Sequence, residues 1–138
     1  MRSVERRWGV MSWVALAVVI GLAPIATRPH GDVNPQPVDT KGLEPLGETW
    51  RPTNPYREDL RAIEIGKSAY NQNCARCHGL EAISGGIAPD LRKLPIDDET
   101  DEYFIQSVRK GKARNGAVYM PPFEGILNQE AIWSIRSY

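Results

Sequence analysis

Cys74, Cys77 and His78 stand together in Cys74-Ala75-Arg76-Cys77-His78, and C-x-x-C-H is the attachment signature of a c-type haem. Two thiols three residues apart on one turn of backbone reach the two vinyl groups of one porphyrin and form thioethers. The adjacent imidazole then meets the iron from one side. The same two sulfurs also suit a thioredoxin-like dithiol or half of a zinc site. A structural zinc site wants four ligands, and the chain offers one further His, His30, and no third Cys. A dithiol motif belongs in a βαβ setting, whereas the flanks here read as helical and loop-like. The expectation is one covalently attached haem c.

The other face of such an iron decides what the chain does. Met and His are the neutral side chains that chiefly bind there. Of three methionines, Met1 and Met11 fall in an N-terminal export segment, which leaves Met120. It lies in Tyr119-Met120-Pro121-Pro122-Phe123, where two prolines stiffen the backbone that follows it. A lone Met is more often a core filler, and His30 is a rival ligand far away in a proline-rich stretch. Met120 is the expected ligand, opposite His78. A ligand imidazole donates its second N–H to an acceptor that fixes its tautomer. The turn Ser84-Gly85-Gly86-Ile87-Ala88-Pro89 returns within reach, where a backbone carbonyl such as that of Pro89 could take that proton. A phosphate loop is the other meaning of a Gly pair, but no P-loop Lys and no preceding strand accompany it.

Those residues need elements to hold them. Arg2, Arg6 and Arg7 precede an uncharged run from Trp8 to Thr27, the basic and apolar regions of an export signal. Residues 1–26 are therefore expected to be a signal peptide ending near Ala26, or else an uncleaved anchor just long enough to span a bilayer. Residues 27–55 hold six prolines, from Pro29 to Pro55, and read as an extended arm packed on the domain through Trp50, or as a linker. Residues 56–138 form the domain. Leu60, Ile63, Gly66 and Tyr70 make a helical stripe leading into Cys74, with Gly66 marking a close helix approach. A second helix covers about 98–110, with acids crowding its start, Arg109 and Lys110 at its end and Gly111 as its stop. Both charge runs read as complements to the helix dipole. A third helix starts at Asn128 and brings Trp133 and Tyr138 towards Gly66 and Tyr70. No run alternates well enough for a strand, so the fold class is all-α. The chain holds 17 basic and 17 acidic residues; removing 1–26 leaves 14 against 16, and a balance this near neutral gives no reason to expect nucleic acid.

These phrases carry a resemblance. Cys-Ala-Arg-Cys-His-Gly, Ala-Pro-Asp-Leu and Tyr-Met-Pro-Pro-Phe, with Gly66-Lys-Ser-Ala-Tyr70 before and a Trp-bearing terminal helix after, resemble class I cytochromes c from residue 60 onwards. Gly31 to Pro37, Trp50 to Arg57, Ser84 to Arg92 and Val118 to Gly125 resemble the periplasmic c-550 type associated with pyrroloquinoline-quinone alcohol dehydrogenases. The resemblance implies the class I cytochrome c fold, helices around one haem; thioether sites at Cys74 and Cys77; axial ligands His78 and Met120; Pro89 as the carbonyl partner of His78; and a helix crossing of Gly66 and Tyr70 against Trp133. It implies a periplasmic electron carrier, not an enzyme, that takes electrons from a quinoprotein alcohol dehydrogenase and passes them towards a terminal oxidase or another cytochrome. Partners are expected at a haem edge bounded by Arg76, Ile87 and the Pro121–Phe123 loop. The chain stops at Tyr138, short of where such proteins continue their last helix, which puts the crossing at Gly66 in question. Two alternatives remain at this stage, a five-coordinate haem peroxidase or sensor and a membrane-anchored cytochrome subunit of a respiratory complex.

Overall fold

The computed structural model describes residues 34–138; the expected signal or anchor at 1–26 and His30 lie outside the described residues. Four helices and one short hairpin follow in the order α1 (Leu60–Asn73), α2 (Ala75–His78), α3 (Asp98–Lys110), β1 (Lys112–Arg114), β2 (Ala117–Met120) and α4 (Gln129–Ser137), with single 3-10 turns at Leu80–Ala82 and Leu91–Lys93. Among the described residues no helix is long and apolar enough to cross a membrane.

Helix α1 starts where the Asp59 carboxylate accepts from the Arg61 and Ala62 amides, the usual work of an N-cap. Its buried stripe is Ala62, Ile65, Gly66, Ala69, Tyr70 and Asn73, a spacing of three and four. Leu60 does not belong to it and is 82 % exposed, because six residues of helix turn it about 120° away from Gly66. Helix α4, capped by the Asn128 side chain on the Ala131 amide, crosses α1 at Gly66. A β-carbon there would overlap the Ser134 carbonyl and come within 3.0 Å of the Ile135 nitrogen. The nine-residue closing helix is thus long enough to make the crossing, with Trp133 fully buried and the Tyr70 and Tyr138 rings 5.5 Å apart.

Helix α3 runs over the expected residues, from the Asp97 cap on the Thr100 amide to Gly111. Asp98 and Glu99 complement its N-terminus, but Asp101 does something else. Its carboxylate is buried and accepts from the Asn54 amide at 2.8 Å, Arg57 Nη2 at 2.7 Å and Arg136 Nε at 2.8 Å. One residue of the charge run is therefore a core junction that ties three segments together. The hairpin is a second departure from the all-α expectation: β1 and β2 are antiparallel, with Lys112 opposite Met120 and Arg114 opposite Ala117. Asn115 and Gly116 turn between them with φ of 50° and 77°, the backbone that Asn-Gly favours in a two-residue hairpin loop.

Residues 34–55 lie on the domain. A proline-rich segment builds no ladder of its own, so its buried amides must find partners elsewhere. Gln36 donates to Asn73 Oδ1 at 2.7 Å, Leu46 to Glu130 Oε1 at 2.7 Å and Arg51 to Gln129 Oε1 at 3.2 Å. Leu43 enters the core, and the Arg109 guanidinium stacks 4.2 Å from the centre of the half-buried Trp50 ring.

Candidate functional site

Cys74 ends α1 and caps α2, its own amide donating to Tyr70 O at 2.8 Å. Its carbonyl accepts from the Cys77 and His78 amides at 3.1 and 3.0 Å. This single turn sets Cys74, Cys77 and His78 at i, i+3 and i+4, and therefore on one side of it. Both thiols are free and half-buried. Burial, helped by Cys77, pushes the Cys74 thiol up to about 12. The Tyr70 hydroxyl donates to Gly79 O at 2.7 Å and pins the end of the motif to the helix before it. The helical spacing marks Tyr70 only as an apolar contact and carries no sign of this hydroxyl bond.

His78 Nδ1 lies 2.9 Å from the Pro89 carbonyl oxygen. Donation from Nδ1 fixes the tautomer and leaves the Nε2 lone pair for a metal. The loop behind that carbonyl is braced at both ends. The Ser84 hydroxyl donates to Ala88 O and accepts from the Gly86 amide. After Pro89, Asp90 accepts from the Arg92 amide and pairs with its guanidinium at 2.7 Å, contacts that hold the Asp90 carboxyl below the usual carboxylate range.

Met120 closes β2, half-buried, and packs on the same core as Cys74, Ala75, Leu91 and Leu94. The loop after it is tied down by Phe123, whose amide donates to Val108 O at 3.0 Å and whose ring is buried. Phe123 therefore belongs to the core rather than to the rim where the docking edge was expected, whereas Ile87 is 81 % exposed. On the segments that flank His78 and Met120, Leu80, Ile83, Ile87 and Val118 are exposed. Among the described residues no group of three or more His, Cys, Asp or Glu is arranged to hold a bare metal ion. Two thiols on one turn, a tautomer-fixed imidazole and exposed apolar side chains on the flanking segments fit a porphyrin.

The comparisons agree with that geometry. The family described as "Cytochrome C oxidase, cbb3-type, subunit III" matches residues 61–138. Cytochrome c550 of Pseudomonas aeruginosa is 65 % identical over 114 residues, which cover 79 % of this chain and 78 % of that protein. The chain belongs to the cytochrome c family. It is also 40 % identical over 76 residues to the quinohemoprotein alcohol dehydrogenase ADH IIB of Pseudomonas putida, covering 55 % of this chain and 10 % of the enzyme. Cytochrome c6 of Euglena gracilis is 31 % identical over 75 residues, 53 % of this chain and 84 % of that protein. No solved structure matches significantly. The cytochrome is a single-haem electron carrier with one covalent haem c. When bound, the haem supplies one-electron chemistry between ferrous and ferric iron.

Proposed function

We propose that this cytochrome works in the periplasm, accepts single electrons from a quinoprotein alcohol dehydrogenase and passes them towards a terminal oxidase. Cys74 and Cys77 would carry the thioether links to the haem, His78 and Met120 would hold its iron, and the Pro89 carbonyl would accept the other imidazole N–H. The observation that carries the ligand reading is the 2.9 Å approach of His78 Nδ1 to Pro89 O. A donated Nδ1–H raises the basicity of Nε2 and aims it in one direction. Met120 offers a neutral thioether, which favours ferrous iron more than a second imidazole does and so raises the potential. With His78 and Met120 both holding the iron, no position would be open to substrate, and the chain would change charge without making or breaking bonds.

For the donor, the support is the match to a quinohemoprotein alcohol dehydrogenase. A segment of this kind, 10 % of that enzyme's length, sits in a protein whose name joins quinone, haem and alcohol oxidation. A separate carrier of the same type suits an enzyme that has the quinone and lacks the haem. Rapid mixing of the oxidised cytochrome with a quinoprotein alcohol dehydrogenase and its alcohol tests this. Haem reduction at a rate set by alcohol and enzyme is expected, and absence of reduction at low ionic strength rules the donor out. Carbon monoxide tests the ligand set, because ready binding to the ferrous protein rules out Met120.

The family description favours a second reading, a cytochrome subunit of a respiratory oxidase held by an uncleaved Trp8–Thr27 segment. The mass of the mature N-terminus separates it from a cleaved, freely diffusing carrier.

A further inference from the structure

Charge is distributed unevenly over this molecule. Residues 103–123 hold Arg109, Lys110, Lys112 and Arg114 and no acidic residue, whereas the other described residues hold nine basic and fifteen acidic ones. The basic stretch is the end of α3 and the hairpin that terminates in Met120. Arg109 is engaged locally, paired with Glu124 at 2.6 Å and stacked on Trp50. Lys112 is held, its Nζ lying 4.6 Å from the centre of the Tyr103 ring. Lys110 and Arg114 enter no ion pair among the described residues.

The hairpin is irregular: Lys112 pairs with Met120 but Ala113 with Val118, so Tyr119 has no partner on β1. Met120 packs on the core, while Arg114, Ala117, Val118 and Tyr119 are all exposed, Tyr119 by 68 %. The hairpin therefore offers solvent both a cation, Arg114, and an aromatic ring, Tyr119. Tyr and Arg are enriched at protein interfaces, and complementary charge speeds and orients encounter. An acidic protein surface is repelled by most of this cytochrome and attracted here.

We propose that the hairpin Lys112–Met120, with Lys110 at its foot, is the docking element through which the cytochrome meets an acidic surface of a redox partner. Electrons then cross beside Met120. The proposal rests on the chain's being an electron carrier and not on which protein supplies the electron, so it stands or falls separately from the alcohol dehydrogenase reading.

Two measurements on the haem-loaded cytochrome test it. In the first, hexacyanochromate(III), a paramagnetic and redox-inert trianion, is titrated into isotope-labelled ferrous protein. Amide signals of residues 110–119 are expected to broaden first and to recover with added salt. Broadening centred on Arg76 or on Arg92 and Lys93 overturns the proposal.

In the second, ferricyanide oxidises the ferrous protein, one electron leaving the cytochrome and each ferricyanide becoming ferrocyanide. Although the described residues hold 13 basic against 15 acidic side chains, the rate is expected to fall severalfold as salt rises, because the local attraction is screened within about 10 Å at 0.1 M. In Lys110→Glu/Arg114→Glu the low-salt rate is expected to drop about tenfold and then to rise with salt. Arg114→Gln, a milder change at an exposed site, should give an intermediate slope and keeps the test valid if the double variant misfolds. A wild-type rate that rises with salt sinks the idea. So does wild-type binding to phosphatidylglycerol vesicles with no preference of hexacyanochromate for the hairpin, which reassigns the patch to membranes.

Discussion

Gly111 lies directly beneath the Met120 carbonyl. A β-carbon on Gly111 would overlap that oxygen and come within 2.8 Å of Pro121 C and Pro122 N, and its backbone already sits at φ +68°. The residue that stops α3 therefore also sets the height of the loop holding the proposed ligand.

Replacing it with alanine is expected to move Met120 rather than unfold the domain. A side chain at such a φ costs about 1–3 kcal/mol, and the overlap adds to it. Ferric Gly111→Ala should lose much of its thioether-to-iron charge-transfer absorption, and the ferrous form should bind carbon monoxide far faster than wild type. Far-ultraviolet dichroism should stay near wild type. An unchanged ferric spectrum would mean that the loop relaxes without disturbing the ligand.

The crossing of α1 and α4 gives a prediction in which local and tertiary effects have opposite signs. Within a helix, Gly→Ala gains up to about 1 kcal/mol. At Gly66 the new methyl meets the Ser134 carbonyl, a backbone atom that moves only with its helix. The tertiary effect should win, giving a loss of about 2–4 kcal/mol in denaturant unfolding of the haem-loaded protein, the size of other core overpacking and backbone conflicts. A stabilised Gly66→Ala would show that the helices are not in contact there.

Parts of this architecture are legible in the chain because they depend on local chemistry. Asp97, the acidic first turn, Arg109, Lys110 and Gly111 bound α3 by interactions made within it, and Asn128 starts α4 in the same way. The attachment turn is equally local. Asp101 was misread because its partners, Arg57, Asn54 and Arg136, come from segments far apart in sequence, and a charge run looks the same whether its members face water or a buried guanidinium. The hairpin was missed for another reason. Three- and four-residue strands are too short to show alternation, and the signal that was present, Asn115-Gly116 with a strand former on the far side, lay in the turn rather than in the strands. Ser84 and Tyr70 hold the proposed haem loop through carbonyls, and no side-chain pattern announces a carbonyl acceptor.

The Asp101 junction should show itself as acid sensitivity. Burial raises the pKa of its carboxyl, but the Asn54 amide and the Arg57 and Arg136 guanidinia outweigh that, and the folded-state value lies below the ordinary one. A carboxyl depressed on folding contributes stability that is present above its unfolded value, about 3.9, and is lost as pH falls through the folded value. Wild type should lose this contribution on acidification below about pH 4. Asp101→Asn should be less stable at pH 7 by about 3 kcal/mol, since it leaves the Arg136 guanidinium buried without its countercharge, and its stability should fall less steeply between pH 4 and pH 2. Denaturant midpoints across that range check it; parallel curves for the two proteins would show that the junction is not ionised in the fold.

The Trp50 ring joins the arm to the loop of the proposed ligand, Met120, through one guanidinium. Arg109 stacks on Trp50 at 4.2 Å and pairs with Glu124 at 2.6 Å, just beyond Phe123. Trp50→Leu keeps an apolar side chain but removes the cation–π contact, which contributes about 0.5–2 kcal/mol. The loss should be local. The Leu46 and Arg51 amides, bound to Glu130 and Gln129, should exchange about 2- to 30-fold faster, that free energy expressed as an opening constant, while amides in α1 and α4 keep their protection. The Asn54 amide is held by Asp101 rather than by the ring and should be little changed, so the arm frays from its middle and stays fastened where it joins α3. Equal acceleration at Leu46, Asn54 and the α1 core would instead mean that the arm and the domain open as one unit, and that Trp50 has no anchoring role of its own.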